Sequence, residues 1–183
     1  MSDAPSGDYR VFVGAFPTGD LAERIQAVRL AYDAKTAVIT PPHVTLAGTY
    51  WRTGAATAVN ETALIDNLHA QIDGNLPAFG LMLGGIRTFG QRVVYLGVEE
   101  TPELLAVRRQ LLQIAGPDKH RQFTPHLTLA MRLKPDRVRA MVASLQAMEW
   151  ENGRFHAPIS HLQVMQRGPQ DPAWRTIARI RLK

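Results

Sequence analysis

The sequence contains no cysteine, which excludes a disulfide framework, a thiolate zinc site and a cysteine nucleophile. No apolar run approaches the roughly 20 residues that cross a bilayer, so no membrane-spanning helix is expected. The first eight residues, Met1-Ser-Asp-Ala-Pro-Ser-Gly-Asp8, lack the basic start and apolar stretch of a signal peptide. They read as a flexible tail, 1–8, and a cytoplasmic location is expected. Basic tails are missing as well: Arg108-Arg109 is the only adjacent pair of arginines.

What is present is ordinary for a globular chain. The 183 residues, 45% hydrophobic and 20% charged, suffice for one domain or two small lobes with a true core. A formal net charge of +5 and a pI of about 10.0 favour polyanionic partners. Charge of this size also occurs in proteins with no nucleic-acid role.

Patterning along the chain alternates strands and helices. Tyr9–Phe16 is rich in aromatic and β-branched residues and reads as a buried strand. Leu21, Ile25, Val28 and Tyr32 mark one face of a helix opened by Pro17-Thr-Gly-Asp20. Ala37–Tyr50 reads as extended, interrupted by Pro41-Pro42, and Trp51–Ala58 as a loop. Leu64, Ile65, Leu68 and Ile72 predict a second helix. Phe79–Ile86 and Val93–Val98 predict strands joined by a hairpin loop, Arg87–Arg92. Thr101 followed by Pro102 is a strong helix start. Gln122–Leu133 is extended again, and a fourth helix carries Val138, Met141, Leu145 and Met148. Phe155–Gln166 and Arg175–Leu182 close the chain as two strands. Four helices among about seven strands indicate mixed α and β layers.

One internal match stands out from this background. Pro42-His-Val-Thr-Leu-Ala47 recurs as Pro125-His-Leu-Thr-Leu-Ala130, 83 residues later, with only Val exchanged for Leu. Of six histidines, only His43 and His126 are followed by x-Thr. In a strand, alternate side chains share a face. His43 and Thr45 therefore lie together, as do His126 and Thr128, with Val44, Leu46, Leu127 and Leu129 behind them. If a pseudo-twofold axis relates the two copies, the pairs face each other across a cleft.

That arrangement suits the opening of a cyclic phosphodiester. Such a reaction needs a base to activate water and an acid to protonate the leaving oxygen. Histidine serves as either near neutral pH. Two threonine hydroxyls can hold the non-bridging oxygens where charge builds. No metal and no cofactor is required.

The two His-x-Thr-hydrophobic motifs resemble those of the two-histidine (2H) phosphoesterases, which include the bacterial 2′-5′ RNA ligases and RNA 2′,3′-cyclic phosphodiesterases. The opening strand, RVFVGAF, and the stretch GGIRTFGQRVVYLGV before the second motif are similar too. The segment from Arg29 to His43 resembles a compact bacterial branch of phosphoesterases. The resemblance covers about residues 9–182. It implies an α+β fold, bilobal, with two pseudo-symmetric antiparallel sheets flanked by helices around a central cleft, formed by a single domain spanning 9–183. It further implies metal-independent hydrolysis of a 2′,3′-cyclic phosphate on RNA ends or nucleotides to a 2′-phosphomonoester, with ATP-independent 2′-5′ ligation as the reverse reaction. Carried over by motif position, His43 gives a proton to the leaving 3′-oxygen, His126 activates water, and Thr45 and Thr128 hold the phosphate. The residues alone leave the acid and base assignments interchangeable.

Secondary candidates follow from position. Alternation from His126 through 128 and 130 places Arg132 on the same face, as a phosphate ligand. Tyr50, Phe89, Tyr95 and Trp174 are candidates for stacking a base, and Arg87 for electrostatic attraction. His69, His120, His156 and His161 read as structural or surface residues. Competing readings are a phosphoesterase for another cyclic phosphate, such as ADP-ribose 1″,2″-cyclic phosphate, and a non-catalytic RNA-binding protein. A metallohydrolase is disfavoured because no HxH, HD or HExxH motif appears. A monomer is expected, since one chain supplies both halves of the site.

Overall fold

A computed structural model describes residues 8–183; residues 1–7, most of the expected tail, lie outside the described residues. Asp8 is already tied down: its amide donates to the Arg52 carbonyl at 2.7 Å, and its carboxylate accepts from Gly54 N at 2.7 Å.

Among the described residues there are eight strands and five α-helices. In chain order they are β1 (Tyr9–Ala15), α1 (Gly19–Ala37), β2 (Val44–Arg52), α2 (Thr62–Gln71), β3 (Phe79–Phe89), β4 (Val93–Val98), α3 (Pro102–Ala115), β5 (His126–Ala130), α4 (Pro135–Gln146), α5 (Glu149–Asn152), β6 (Phe155–Ile159), β7 (His161–Arg167) and β8 (Arg175–Arg181). A 3₁₀ turn, Ala58–Glu61, precedes α2. No helix among these residues is long and apolar enough to cross a membrane.

Several expected boundaries move. The helix α1 continues to Ala37, and β2 begins only after the two prolines and runs through Trp51 and Arg52. The strand β3 extends to Phe89, so Arg87 is in a strand rather than in the hairpin loop. The extended stretch 122–133 narrows to β5. The expected strand 155–166 is two strands broken at Ser160, because β6 pairs with β3 while β7 pairs with β1. Pro158 sits in β6, an edge strand, where a missing N–H costs no ladder bond. The start of α3 is as expected: Thr101 Oγ1 accepts from Leu104 N at 3.2 Å.

All eight strands form one antiparallel sheet in the order β6-β3-β4-β5-β2-β1-β7-β8. The two expected sheets are therefore the halves of one, joined edge to edge through a single residue pair, Val44 with Leu127. The order reads symmetrically about that bridge, pairing β5 with β2, β4 with β1, β3 with β7 and β6 with β8. The offset of 83 residues recurs in the flanking elements. Phe12-Val13-Gly14 in β1 matches Tyr95-Leu96-Gly97 in β4, and the first residues of α1 and α3 stand the same distance apart.

Behind the motifs the packing is dry. Val44, Leu46 and Leu127 are fully buried and Leu129 nearly so. Each contributes about 1.5–3 kcal/mol by removal from water. A buried ion pair fastens α3 to the middle of β2. Arg108 donates to the Leu46 carbonyl at 2.7 Å and to the Asp118 carboxylate at 2.8 and 3.1 Å, while Asp118 also accepts from Gly48 N at 3.1 Å. Replacing one member of such a pair strands the other charge in the interior. Asp118→Ala is expected to lower unfolding stability by about 3–5 kcal/mol, measured by urea denaturation. A loss below about 1 kcal/mol, the range of exposed pairs, would show that the pair is not a structural tie.

Candidate active site

The single bridge fixes the site. Val44 and Leu127 point into the core, so their chain neighbours His43, Thr45, His126 and Thr128 all emerge on the opposite face. Antiparallel register, carried one residue either way, sets His43 across from Thr128 and Thr45 across from His126. The imidazoles occupy one diagonal of a four-cornered patch and the hydroxyls the other. All four side chains are half-buried.

Both imidazoles are held in the same way. His43 Nδ1 lies 2.8 Å from the Pro41 carbonyl, and His126 Nδ1 lies 2.7 Å from the Thr124 carbonyl. A carbonyl only accepts, so each Nδ1 carries hydrogen. That leaves each Nε2 as the nitrogen with the open lone pair when the ring is neutral.

The surroundings of the two rings differ. Phe12 and Phe16 stack against His43, with ring centroids at 4.9 and 5.3 Å. Gly14 makes room for them: a Cβ there would lie 3.0 Å from the Phe12 ring and 3.1 Å from the Val44 carbonyl. Around His126, Phe89 and Tyr95 present edges at 4.8 and 5.3 Å. Burial is the largest influence on both pKa values. It pushes His43 down to about 4, reinforced by the charges of Arg29 and His126. Burial also lowers His126, with a further push from His120.

Arg29, which the periodicity of α1 had not singled out, lies under this cleft. It is 2% exposed, and Nη1 donates to Gln26 Oε1 at 2.7 Å and to the Thr40 carbonyl at 2.8 Å. Its Nε has no hydrogen-bond partner. Burial draws its pKa down to about 10, so it stays charged at neutral pH. Gln26 in turn holds the Ala37 carbonyl at 3.0 Å. The pair clamps the segment that delivers Pro41, and hence the His43 anchor.

A cleft of about 320 Å³ opens over His43, Thr45 and Thr128, within the lower range for small-molecule sites. Arg132 borders it, but not by the alternation expected. A register shift in the β4–β5 pairing places both Leu129 and Ala130 in the core, and β5 ends there. Arg132 instead reaches the cleft through a left-handed backbone, φ 58°. The turn before it is fixed by Asp33 at the kink of α1, whose carboxylate accepts from Met131 N at 3.0 Å and Thr36 N at 3.2 Å.

The stacking candidates separate. Trp174 lines the cleft, its ring edge-on to Phe12 at 4.8 Å. Phe89 and Tyr95 stack on each other beside His126, Phe89 being the exposed member. Tyr50 is buried with its hydroxyl on the Gly116 carbonyl at 2.7 Å, away from the cleft. Arg87 is paired with Glu151. His69 is paired with Asp73, and His120, His156 and His161 are exposed. The matching Phe12 and Tyr95, one beside each histidine, are the signal in the sequence that would have identified the aromatic surroundings of the motifs.

The sequence profile of the 2′-5′ RNA ligase superfamily matches residues 17–171. The chain belongs to that superfamily of 2H phosphoesterases. A search of curated protein sequences gives no match. Among solved structures, E. coli LigT in complex with 3′-AMP is 20% identical, with a TM-score of 0.65 over 97% of this chain and 99% of that one. The same protein with ATP is 22% identical, with a TM-score of 0.63 over 95% and 98%. Usb1 of Kluyveromyces marxianus with uridine monophosphate is 12% identical, with a TM-score of 0.50 over 96% and 98%. At these identities the structures show a shared fold.

The histidine environments make a titration prediction. Between pH 6.5 and about 4 the folded protein holds fewer protons at His43 than the unfolded chain does. The stability contributed by neutral His43 is therefore complete above pH 6.5 and lost as pH falls towards 4. Carbon–proton NMR of ¹³C-labelled histidine is expected to give a His43 midpoint near 4 and a His126 midpoint below 6.5. A His43 midpoint at or above 6.5 would show that water reaches the ring freely.

Proposed function

We propose that this protein opens 2′,3′-cyclic phosphates on RNA ends or nucleotides, without a metal ion, to leave a 2′-phosphomonoester. The observation that carries this reading is the diagonal arrangement of His43 and His126 with Thr45 and Thr128 on one face of the sheet. Support comes from family membership and from the nucleotides held by E. coli LigT and Usb1.

A phosphorus centred over the patch has one imidazole on each side along one diagonal. That is the geometry of in-line displacement. The Nε2 of one histidine removes a proton from water as its oxygen bonds to phosphorus. The bond from phosphorus to the 3′-oxygen breaks, and the other Nε2–H delivers a proton to that oxygen. By motif position His43 is the donor and His126 the base. The threonine hydroxyls, on the other diagonal, donate to the non-bridging oxygens, and Arg132 offsets their charge. After the reaction the protons are exchanged between the histidines, and solvent restores the starting state.

Each proton-transfer group contributes about 10²–10⁴-fold to rate. His43→Ala and His126→Ala are each expected to lower kcat by that factor, while RNA affinity changes little. Thr45→Ala or Thr128→Ala is expected to cost about 10²-fold, as for loss of one donor to a developing oxyanion. Assays on a 2′,3′-cyclic mononucleotide and on a short RNA ending in a cyclic phosphate, both in EDTA, with phosphorus NMR of the products, test the proposal. Absence of turnover on both substrates would sink it and leave a binding role for the cleft.

The pH profile has a definite sign. The donor histidine must be protonated, and both pKa values are lowered in the free protein. The value of kcat/KM, which reports the free enzyme, is expected to peak below pH 6.5 and to decline as pH rises. Bound phosphate raises both imidazoles, so kcat is expected to persist to higher pH. A kcat/KM that climbs through pH 7 to a plateau would remove the histidines from the donor role.

A further inference from the structure

The half-sheets that meet at the bridge are alike in path but differ at one pair of cleft-facing positions. On the His126 side, the residue next to the aromatic Tyr95 on the cleft face of β4 is Val93, and its partner across β3 is Phe89. The equivalent positions on the His43 side are Arg10 in β1 and its partner Arg167 in β7. Both line the same cleft as His43 and Thr45. Farther along β3 and just before β6, Arg87 pairs with Glu151 and Arg154 with Glu99. Arg10, Arg132 and Arg167 take part in none of the ion pairs among the described residues.

Arg10 is built into place. Its guanidinium lies over two indole rings, Trp51 at 5.3 Å and Trp174 at 5.1 Å. Trp174 is anchored in turn by its amide on the Ile39 carbonyl at 2.9 Å. Stacking fixes the plane of a guanidinium while leaving its N–H edge free. Arg167 is oriented by Nε donating to the Asp171 carbonyl at 3.2 Å; the Asp171 carboxylate itself is engaged by Gly168 N and Arg175. Burial, reinforced by the like charges of Arg167 and Arg132, holds the Arg10 guanidinium below its ordinary pKa. Cations held together against their own repulsion, with no ion-pair partner among the described residues, form a site for an anion.

We infer that Arg10 and Arg167 bind a second phosphate of the substrate, distinct from the one that is cleaved. This rests on the cyclic-phosphate reading of the His-Thr patch. It narrows the substrate class to cyclic phosphates bearing at least one further phosphate group. That group is a 5′-phosphomonoester, the phosphodiester of an RNA chain, or a diphosphate, all of which present the same non-bridging oxygens to a guanidinium. A plain 2′,3′-cyclic nucleoside monophosphate fills only half of the cleft. The chain beyond the reacting end then leaves over β1 and β7, on the His43 side.

The test compares four substrates: adenosine 2′,3′-cyclic phosphate, the same compound with a 5′-phosphate, the dinucleotide ApA ending in a cyclic phosphate, and ADP-ribose 1″,2″-cyclic phosphate. One or more of the last three is expected to exceed the first in kcat/KM by at least about tenfold, mainly through KM, as a charge-assisted phosphate contact gives. Which of them does so identifies the source of the second phosphate. In Arg10→Gln/Arg167→Gln that ratio is expected to fall to about two or less, and the advantage of the wild type to shrink with added salt. A ratio unchanged by the double substitution, or no preference in the wild type, overturns the inference. Binding to His126→Ala separates it from the catalytic reading: adenosine 2′,5′-bisphosphate is expected to bind at least about tenfold tighter than 2′-AMP, and equally once Arg10 and Arg167 are replaced. That result without turnover of any substrate by the wild type would uphold the second-phosphate site and reject cyclic phosphodiester opening. Turnover with equal binding of the two ligands would do the reverse.

Discussion

Among the described residues, Val44 and Leu127 alone pair the two half-sheets, and what the cleft presents depends on which way those two side chains point. Both are excluded from water. Because strand side chains alternate, burying these two forces the four polar neighbours to the other side. A slip of one residue at this bridge would turn the histidines and threonines into the core and the apolar residues out. The cost of burying two imidazoles and two hydroxyls without partners guards against it. The register of the patch is therefore enforced by the hydrophobic residues between the histidines and threonines, an aliphatic residue standing second and fourth in each motif.

The same dryness that fixes the register sets the protonation of the site. Phenyl rings against His43 and aromatic edges around His126 replace water that would stabilise an imidazolium. Arg29 adds a permanent positive charge beneath, held by Gln26 and the Thr40 carbonyl. The free protein thus holds both imidazoles towards the neutral form, with His43 in a cleft that Arg10, Arg29, Arg132 and Arg167 also line. Such a site is set to receive negative charge, and the arriving anion itself restores the affinity of the histidines for protons.

The paired hexapeptides made the functional half of the fold legible, since spacing and alternation already placed both histidines and both threonines on a common face. The helix starting at Thr101 and the strand at Tyr9 were legible for similarly local reasons, a cap and a β-rich run. What escaped was non-local. Nothing between Phe155 and Gln166 announces that the chain changes partner strands at Ser160. Arg132 was placed by an alternation that the register shift opposite β4 interrupts, and only its left-handed backbone brings it to the cleft. Arg10 and Arg167 lie far apart in sequence and meet solely because β1 and β7 pair. Arg29 sat in view on a helical face otherwise apolar, where a lone charge is a sign of a buried partner.

A duplicated motif poses a problem that symmetry alone does not solve. Two equivalent histidines and two equivalent threonines would accept a phosphate in either of two orientations, and only one leads to a given bond being broken. Roles must then be assigned by groups that the twofold relation does not repeat. The structure departs from symmetry in two such places. The aromatic rings lie face-on to His43 and edge-on to His126, while burial lowers both imidazoles. The positions that carry Val93 and Phe89 on one side carry Arg10 and Arg167 on the other, so the twofold relation does not repeat these two charges. If Arg10 and Arg167 hold a second phosphate, a substrate that carries one has a single low-energy way to lie across the patch. Its leaving oxygen then meets the same histidine in every turnover. On this reading the paired motifs supply the reaction and the unpaired arginines decide which way round it runs.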